Sequence, residues 1–394
     1  MRVCLIGVGG YGRVHLQHLL QFHREGRVSL VAVVVHPPDS GSDVLQSLAA
    51  IPCEIFPDFP SLCAALPRLQ LQLAVVPTPI HLHAPMTLAL LDAGLNVLVE
   101  KPIAATLREA HAIAERAAKL QRMVAVGFQY LHAPEIQALK QRLLAGTIGP
   151  LRRVVVHAAW PRSHAYYARN DWAGRLQLGE QRVFDSPINN AISHFFMLML
   201  FLAGRTMEEA AEPVRLTAEL YRAQAIESFD TGVVRLETDD GCRLDFYGTH
   251  SSREIERPSL VIEGSAGRAE WVQDTHALII AHGKRWELRA DPESATRERM
   301  FNDVFGRLEG HHRFVCTPQL AAAHVRCVTA LHENVPITPV PPAWLQQRID
   351  DGDTYTFVRG LDGRLSDAAR CGSGLAGPNA DWAVPGTVVA LTSP

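Results

Sequence analysis

The chain has 394 residues, of which 47% are hydrophobic and 20% are charged, a composition ordinary for a globular protein and a length that suits two domains. A formal net charge of -3 at pH 7 offers no basic field to a nucleic acid or an anionic membrane, so we expect neither as a partner. Seven cysteines without CxxC spacing argue against a disulfide framework or a zinc knuckle, and with no visible signal peptide they indicate a cytoplasmic location.

The first 150 residues alternate strand and helix patterns. Short apolar runs predict strands at residues 3–7, 29–35, 73–76, 96–99 and 123–126, and helical spacing predicts helices at 10–22, 81–93 and 106–120. Strands separated by crossover helices predict a doubly wound parallel sheet. The sequence AGTIGP at 145–150 marks a domain junction. We therefore predict an α/β protein whose first domain, residues 1–150, has a Rossmann fold.

After residue 150 the pattern changes to successive strands. Strands are predicted at residues 152–160, 214–220, 232–237, 242–249, 259–263 and 268–271. One helix is predicted at 189–202 and another at 318–332, while the last fifty residues give weak signals. We predict a second, α+β domain over residues 151–394, built on a large open and mainly antiparallel sheet.

The sequence IGVGGYGRVH, residues 6–15, carries the GxGxxG pattern. Gly7, Gly9 and Gly12 follow a predicted strand and open a predicted helix, with Gly10 and Tyr11 inside the same loop. This context lets backbone amides approach a pyrophosphate at the start of the helix. The pattern predicts dinucleotide binding, and the alternative is a glycine turn with only a structural role.

The end of the second strand leaves the choice of cofactor open. A dinucleotide site that prefers a ribose hydroxyl usually has an acid there. Here Val35 and His36 occupy the position, and Asp39 follows three residues later. His36 either faces a 2'-phosphate or is a loop histidine. We expect NAD or NADP, with a slight preference for NAD.

Two further turns follow predicted strands. The sequence VVPTPIHLHA ends a strand at Pro77 and Thr78, with His83 in the next helix, and VLVEKPIA ends a strand at Glu100 and Lys101. In an open α/β sheet the ligand crevice lies outside the carboxyl ends of the strands. We predict that these turns border the glycine loop and contact the cofactor. A charged turn of this kind can also be an ordinary surface turn.

Three stretches together resemble the Gfo/Idh/MocA family, named for glucose-fructose oxidoreductase and inositol dehydrogenase. They are IGVGGYG, TPIHLHAPMTLALLDAGLNVLVEKP and GFQYLHAP, the last of which adds Gln129 as a candidate cofactor contact. The resemblance is close over the first 150 residues. It implies NAD or NADP in the first domain, an open sheet in the second, and a sugar, a polyol or a related hydroxy compound as substrate. It also implies a cis Lys101–Pro102 bond and a homodimer or homotetramer.

The resemblance assigns roles to particular residues. It implies that Lys101 points at the reacting hydroxyl and that Glu100 lies close to the cofactor. The family's DxGxH signature corresponds to DSPINNAISHFF, where His194 matches, Asn190 replaces the aspartate and Ile192 replaces the glycine. Asn190 and His194 are four residues apart, so on the predicted helix they share one face. The alternative for His194 is a core histidine on an apolar helix.

The segment WPRSHAYYARNDWAGRLQ, residues 160–177, is dense in aromatic, arginine and amide side chains. Such side chains suit the apolar faces and hydroxyl rims of sugars. Candidate substrate contacts here and just before the predicted helix are Tyr166, Tyr167, Arg169, Asn170, Trp172, Asp185 and Asn189. The alternative is an irregular loop packed on the sheet or against another subunit. No spacing of histidines and carboxylates indicates a metal site.

These residues fit the oxidation of a secondary alcohol, which loses a hydride to the cofactor and a proton to a base. Neutral His194 would accept the proton, Lys101 would stabilise charge on the oxygen, and Asn190, which cannot titrate, would orient the substrate. We predict an NAD(P)-dependent dehydrogenase acting on a sugar, polyol or glycoside. The alternatives are a cofactor-binding sensor without turnover and a glycoside-cleaving enzyme that oxidises its substrate transiently.

Overall fold

The computed structural model describes residues 1–378 and 380–391. Their contacts separate two compact units, the first formed by Met1–Phe128 with Met300–Ala322 and the second by Gln129–Arg299 with the chain from Ala323 onward. The first stretch of the first unit ends at Phe128, ahead of the predicted junction at residue 150. The segment Met300–Ala322, much later in the chain, also belongs to the first unit. The assignment of cofactor and substrate binding to the two parts of the chain remains a prediction.

The first unit is built on a parallel sheet. Its strands are β1 Arg2–Ile6, β2 Ser29–Val34, β3 Glu54–Phe56, β4 Leu73–Val76, β5 Asn96–Val99 and β6 Val124–Val126. Across the described residues these six strands lie in the order β3-β2-β1-β4-β5-β6. The order reverses between β1 and β4, so the loops after these strands open the crevice at the carboxyl edge. The predicted doubly wound parallel sheet is confirmed.

Helices on both faces of this sheet bury its apolar strands. They are α1 Gly12–Arg24, α2 Ser42–Ala49, α3 Phe59–Leu69, α4 Ile80–Asp92 and α5 Leu107–Leu120. The segment Met300–Ala322 belongs to this unit because its aromatic residues pack on α1. The ring of Phe22 lies 5.6 Å from that of Phe301 and 5.4 Å from that of Phe305, measured between centroids.

The second unit is built on a large open sheet. Its strands are β7 Leu151–Ala159, β8 Gln177–Leu178, β9 Gln181–Arg182, β10 Pro213–Arg222, β11 Thr231–Thr238, β12 Arg243–Thr249, β13 Glu256–Gly264, β14 Gly267–Val272, β15 His276–Ala281, β16 Lys284–Arg289, β17 Ile337–Pro339, β18 Leu345–Asp350, β19 Asp353–Val358 and β20 Thr387–Ala390. In the described part of the chain, ten of them form one sheet in the order β16-β15-β14-β13-β7-β12-β11-β10-β17, with β20 beside β10. Most pairs are antiparallel, as predicted, whereas β7 with β12 and β10 with β17 are parallel.

The remaining helices are α6 Pro134–Leu144, α7 His164–Ala168, α8 Ser193–Ala203, α9 Glu293–Leu308, α10 Pro318–Asn334 and α11 Leu361–Cys371. Helix α8 is apolar on nearly every side and packs against β7, β12 and β13. Its carboxyl end is capped by the buried Lys140 of α6, whose Nζ donates to the carbonyl oxygens of Phe201, Gly204 at 2.8 Å and Glu209 at 3.3 Å. This cap satisfies carbonyl groups that a buried helix end would otherwise leave unpaired. Within the described residues no helix has the length and apolarity that crossing a membrane requires.

The C-terminal residues cover one face of the middle strands of the large sheet. Tyr221 and Tyr247 of the sheet pack there with Leu361, Leu365 and Trp382. Two arginines of the same face hold the end of α11: Arg153 donates to the Ala369 carbonyl at 2.7 Å, and Arg235 to the Gly372 carbonyl at 2.5 Å. The chain itself therefore occupies this face.

Candidate active site

The glycine loop between β1 and α1 has the backbone that close approach of a pyrophosphate requires. Gly7 has φ +97°, a left-handed conformation that favours glycine. A Cβ on Gly12 would lie 2.5 Å from the Gly7 carbonyl oxygen and 3.4 Å from Cγ of Pro77. The Gly12 amide donates to the Gly9 carbonyl at 2.8 Å, which closes the turn at the start of α1. These features fit a dinucleotide at the start of the helix.

Asp39 lies against this loop. A Cβ on Gly9 would lie 2.4 Å from its Oδ1 atom, so the carboxylate fills the space that a side chain would need. His36, the predicted contact at the end of the second strand, is exposed. An acid thus reaches the glycine loop from the short helical turn Pro37–Asp39 that follows β2.

The turn after β4 borders the same loop. Cγ2 of Thr78 would lie 3.6 Å from a Cβ on Gly7, and Pro77 approaches Gly12 as described above. Tyr11 is 36% exposed at the tip of the loop, and its ring lies 5.3 Å from that of His15. The structure therefore brings together the predicted residues of the glycine loop and of the turn after β4.

Glu100 is buried under the turn that carries Lys101. His15 Nε2 lies 2.8 Å from its Oε1, and the Lys101 amide donates to its Oε2 at 3.0 Å. Burial opposes ionisation of this carboxyl group, but the hydrogen bond and charge of His15 and the charge of Lys101 outweigh burial, so its pKa lies below the usual value. Glu100 thus ties the end of β5 to α1, beside the glycine loop.

His83 connects the turns after β4 and β5. Its Nδ1 lies 2.6 Å from the Pro102 carbonyl oxygen, and its Nε2 lies 2.7 Å from the Thr78 carbonyl oxygen. Burial lowers the pKa of His83, whereas these two carbonyl groups and the charge of Glu100 favour the protonated form. The Lys101–Pro102 peptide bond is cis, as predicted, and Lys101 is half-buried. Two side chains, Glu100 and His83, therefore fix the backbone on either side of Lys101.

Gln129, the last of the predicted cofactor contacts, belongs to the second unit. It is buried, and its Nε2 donates to Oε1 of Glu293 at 3.4 Å. Its Oε1 is buried and has no hydrogen-bond partner among the described residues.

The segment before α8 is a series of turns, and the prediction that Asn190 and His194 share one helix face is wrong. Helix α8 begins at Ser193, because the preceding residues make local hydrogen bonds instead. The Ile192 amide donates to the Pro187 carbonyl at 2.9 Å, five residues back rather than four, and the Ser193 hydroxyl donates to the Asn190 carbonyl at 2.6 Å. Pro187, which has no amide hydrogen, starts these turns. His194 stands in the first turn of α8, half-buried, with the ring of Tyr130 at 5.6 Å.

A carboxylate, that of Asp185, lies beside Asn190. It is buried, and its Oδ1 accepts a hydrogen bond from Nδ2 of Asn190 at 2.7 Å while its Oδ2 accepts one from the Gly174 amide at 2.6 Å. Asn189 is also buried, and its Nδ2 donates to the carbonyl oxygens of Val183 and Phe184. Asp185 and Asn190 are therefore a hydrogen-bonded pair, whereas the side chain of Asn189 stabilises the turn itself.

The loop after β7 contains the other predicted substrate contacts. Asn170 is exposed, and its Oδ1 accepts hydrogen bonds from the amides of Trp172 at 3.2 Å and Ala173 at 2.8 Å, which shapes the loop. Burial and the charge of Asp185 raise the pKa of Tyr166. Burial and the charge of Asp230 raise the pKa of Tyr167 well above its usual value, and its hydroxyl group has no hydrogen-bond partner among the described residues. Both tyrosines thus remain protonated at neutral pH.

Two residues of this region were missed from the sequence. Arg162 lies 4.9 Å from the centre of the Tyr166 ring, measured from its guanidinium carbon. His250, at the end of β12, is buried with Nδ1 2.7 Å from the Trp160 carbonyl oxygen. The signal for Arg162 was present, since it stands in the same aromatic segment as Arg169; a lone histidine after a strand carries no such signal.

A cavity of about 620 Å³ opens beside the same loop. It is lined by residues of 164–175 and 224–227, among them the predicted contacts Tyr167 and Asn170. Among the described residues no three His, Cys, Asp or Glu side chains are grouped to hold a metal ion.

Sequence comparisons match both units to known families. Residues 1–128 match the oxidoreductase family with an NAD-binding Rossmann fold, and residues 136–270 match the GFO/IDH/MocA C-terminal domain. A relative named 1-carboxy-3-chloro-3,4-dihydroxycyclohexa-1,5-diene dehydrogenase, from Comamonas testosteroni, is 29% identical over 77% of this chain and 77% of its own length. An inositol 2-dehydrogenase from Pseudomonas fluorescens is 29% identical over 62% of this chain and 66% of its own length.

Solved structures share the fold. The WlbA dehydrogenase from Bordetella pertussis, solved with NADH and UDP-GlcNAcA, has a TM-score of 0.68 and 22% identity, covering 84% of this chain and 95% of its own. At that identity the likeness concerns the fold. The two sequence matches extend over more than half of the chain, and together with the glycine loop and the EKP turn they confirm an oxidoreductase: the chain belongs to the Gfo/Idh/MocA family.

Proposed function

We propose that the chain is an NAD-dependent dehydrogenase that oxidises or reduces a secondary hydroxyl group of a sugar, a polyol or a glycoside. The observation that carries this proposal is the anchoring of Lys101. Its backbone is held by Glu100 and His83 at the carboxyl edge of the sheet, and Glu100 in turn binds His15 of the helix that the glycine loop opens. The names of the relatives from Pseudomonas fluorescens and Bordetella pertussis support a polyol or sugar derivative as substrate.

The preference for NAD is based on Asp39. A bound nicotinamide dinucleotide would supply the hydride acceptor or donor. The loop from Gly7 to Gly12 would hold its pyrophosphate, and Asp39, against Gly9, would accept hydrogen bonds from the hydroxyl groups of the ribose. The same carboxylate would repel a 2'-phosphate, so NADP should bind less well.

The proton of the hydroxyl group needs a base in the protein. We assign this role to His194, whose first-turn position and half-burial leave it able to take part in proton transfer. Lys101 would donate a hydrogen bond to the same oxygen and stabilise the charge that develops there. Asn190, held by Asp185, would orient the substrate. In this scheme Asp185 takes over the orienting effect that the family aspartate has at position 190.

The family resemblance also leads us to propose a homodimer or homotetramer. The face of β7, β10, β11 and β12 is occupied by the chain's own C-terminal residues, so subunits would meet elsewhere. Sedimentation velocity at several concentrations tests this proposal, and a single monomeric species at all concentrations would rule it out.

Turnover is tested with purified protein, NAD or NADP, and a panel of sugars, inositols and glycosides. Formation of reduced nicotinamide supports the dehydrogenase. Cleavage of a glycoside without net reduction would support the transient oxidation mechanism instead, and cofactor binding without any turnover would support a sensor. Lys101→Ala should abolish turnover while cofactor affinity is retained, and Lys119→Ala, at an exposed lysine of α5, is the matched control.

A further inference from the structure

Arg162 and Arg169 form a cationic pair in the loop after β7. Both guanidinium groups stack on the ring of Tyr166, with their carbons 4.9 and 3.7 Å from its centroid. Arg162 also lies 5.5 Å from the ring of Trp160, and Arg169 lies 5.2 Å from the ring of Trp172. Aromatic faces hold an arginine in place without neutralising its charge. We refer to Arg162 and Arg169 as the arginine pair.

The arginine pair keeps its positive charge and some of its hydrogen-bond donors. Elsewhere in this unit Arg153 lies 2.7 Å from Asp245 and Arg175 lies 2.9 Å from Glu227, whereas in the described part of the chain no carboxylate lies within 4.0 Å of either member of the pair. Nε of Arg162 is buried and has no hydrogen-bond partner among the described residues. Arg162 is half-buried, so its guanidinium group binds an anion more strongly than one in water would, whereas Arg169 is exposed and its Nη1 also donates to the Tyr166 carbonyl.

The positive charges of Arg162 and Arg169 both act on His250. Burial and the positive charges of both arginines hold the pKa of His250 well below its usual value. His250 is buried, and its ring lies 6.3 Å from that of Tyr166. The neutral imidazole therefore adds no further cation, and the positive field at this position comes from the arginine pair.

The arginine pair lies beside the residues assigned to the chemistry. Asp185, which binds Asn190 at 2.7 Å, is close enough to raise the pKa of Tyr166, the ring on which both arginines stack. The ring of Trp160, under Arg162, lies 5.5 Å from that of Phe195, the residue after His194. The carboxylate of Asp185 accepts hydrogen bonds from Asn190 and from the Gly174 amide. The guanidinium groups of the arginine pair can therefore bind a ligand.

We propose that the substrate carries an anionic group, a carboxylate or a phosphate, which the arginine pair binds while the reacting hydroxyl group lies elsewhere on the same molecule. The planar fork of a guanidinium matches the oxygens of either anion. This inference rests on the proposed function and deepens it by naming the class of substrate.

The test compares matched substrates that differ in charge. A neutral hexose, the corresponding hexuronate and the corresponding hexose 6-phosphate are supplied with NAD to the full-length protein, and kcat/KM is measured for each. Binding of the same compounds to the NAD-loaded protein is measured by calorimetry. We expect at least one anionic compound to exceed the neutral hexose by roughly 10- to 100-fold in kcat/KM, the range that one or two charge-assisted hydrogen bonds provide. A preference for the hexuronate identifies a carboxylate, and a preference for the hexose 6-phosphate identifies a phosphate.

Two variants assign the preference to the arginine pair. Arg162→Met and Arg169→Met should each reduce the ratio of anionic to neutral kcat/KM by about tenfold or more. Arg142→Met is the matched control, because Arg142 also stacks on an aromatic ring but lies on α6, outside the loop after β7. Its guanidinium carbon lies 5.3 Å from the centroid of Trp286 on β16. Circular dichroism and thermal unfolding verify that each variant is folded, and Arg162→Lys, which keeps the charge, covers the case in which Arg162→Met does not fold.

The outcomes separate this inference from the proposed function. If neutral hexoses are oxidised as well as the anionic ones, or if Arg162→Met and Arg169→Met lower both rates equally, the arginine pair only packs the loop and the inference is overturned, while the dehydrogenase stands. If no compound yields reduced nicotinamide but the anionic compounds bind and both variants weaken that binding, the anion site stands and the dehydrogenase is overturned.

Discussion

Replacing His15 by phenylalanine should destabilise the first unit by breaking its buried bond to Glu100. The substituted ring can keep the edge contacts that His15 makes with Tyr11 and Phe301, whose ring centroids lie 5.3 and 5.4 Å away. The hydrogen bond to Oε1 of Glu100, 2.8 Å long, is lost, and the buried carboxylate keeps the hydrogen bond from the Lys101 amide at 3.0 Å. Leaving a buried polar group without one of its donors costs about 1–3 kcal/mol, and more when the group is charged, so we expect a loss of about 3 kcal/mol.

Hydrogen exchange at neutral pH is the suitable assay, because two compact units can unfold separately and a single global transition would mix them. The amides of α1 and β5 should lose protection by about 3 kcal/mol in His15→Phe. His15→Gln, which keeps a donor, should lose less than half of that. A double variant, His15→Phe with Glu100→Met, should recover most of the loss, since the cost comes from the unpaired carboxylate. A double variant as unstable as His15→Phe, or more so, would show that the loss does not come from an unpaired Glu100.

The lowered pKa of Glu100 gives this prediction a pH dependence. A carboxyl group with a lowered folded pKa contributes stability above its unfolded pKa, and the contribution is lost as the pH falls through the folded value. The difference between the wild type and His15→Phe should therefore shrink in acid. A difference that stays constant down to the acid limit would contradict the pairing of an ionised Glu100.

Three further predictions concern other sites. Asp39→Ala should weaken NAD binding by about tenfold in calorimetry and NADP binding less, because the carboxylate against Gly9 is the proposed acceptor for the ribose hydroxyl groups. His332→Phe should remove part of the acid sensitivity of the second unit: burial lowers the pKa of His332 to about 4, so between about pH 8 and pH 5 protonation of the unfolded chain should cost the wild type about 2 kcal/mol that the variant does not lose. Lys140→Met should lower the hydrogen-exchange protection of the α8 amides by about 3 kcal/mol, because carbonyl groups at the end of α8 lose their buried donor.

Each of these has an outcome that would contradict it. Equal losses of NAD and NADP affinity would remove Asp39 from cofactor selection. His282→Phe, at an exposed histidine of the same unit, is the control for His332→Phe, and an unchanged slope of stability against pH in His332→Phe would show that His332 titrates normally. Lys140→Met with wild-type stability would mean that water satisfies the carbonyl groups at the end of α8.

The parallel sheet was predictable because β1, β2, β4, β5 and β6 are short apolar runs, whereas β3 was not predicted. The bounds of β4 and β5 agree with the predicted ranges to the residue. The helix α3, between β2 and β4, was not predicted, because prolines within a segment argue against a helix. There Asp58 caps the helix by accepting a hydrogen bond from the Ser61 amide at 2.7 Å, and Pro60 lies in the first turn, where a proline is tolerated. An acid followed by a proline was the available signal.

The second unit was predicted less completely, because tight turns join strands that the sequence pattern left unassigned. β15 and β16 are joined by His282 and Gly283, both at positive φ, and β18 and β19 by Asp351 and Gly352, also at positive φ. An Asp-Gly pair between two runs is a strong hairpin signal and identifies β18 and β19 in hindsight. The His-Gly pair is a weaker signal.

The residues of the candidate site that lie within a short sequence motif were predicted. Contacts between residues that only folding brings together were missed. The glycine loop, Glu100 and Lys101 lie within short sequence motifs. The bond between Asp185 and Asn190 depends instead on the turns that Pro187 starts, and the arginine pair depends on the stacking of Tyr166. The apolar periodicity predicted that the helix starts at residue 189, whereas α8 starts at Ser193. Apolar spacing does not show where turns end and helical hydrogen bonds begin.

Joint action of Lys101 and His194 on one hydroxyl group is tested most directly by a double-mutant cycle on kcat with Lys101→Ala and His194→Asn, measured with the best substrate of the panel and saturating NAD. If the amine and the imidazole act on one hydroxyl group, each single variant should lose about 10²- to 10⁴-fold, and the double variant should lose little more than the worse single variant. Cofactor affinity should be retained in all three. Losses that multiply in the double variant, or a single variant with wild-type kcat, would contradict the proposal that these two residues share one reaction.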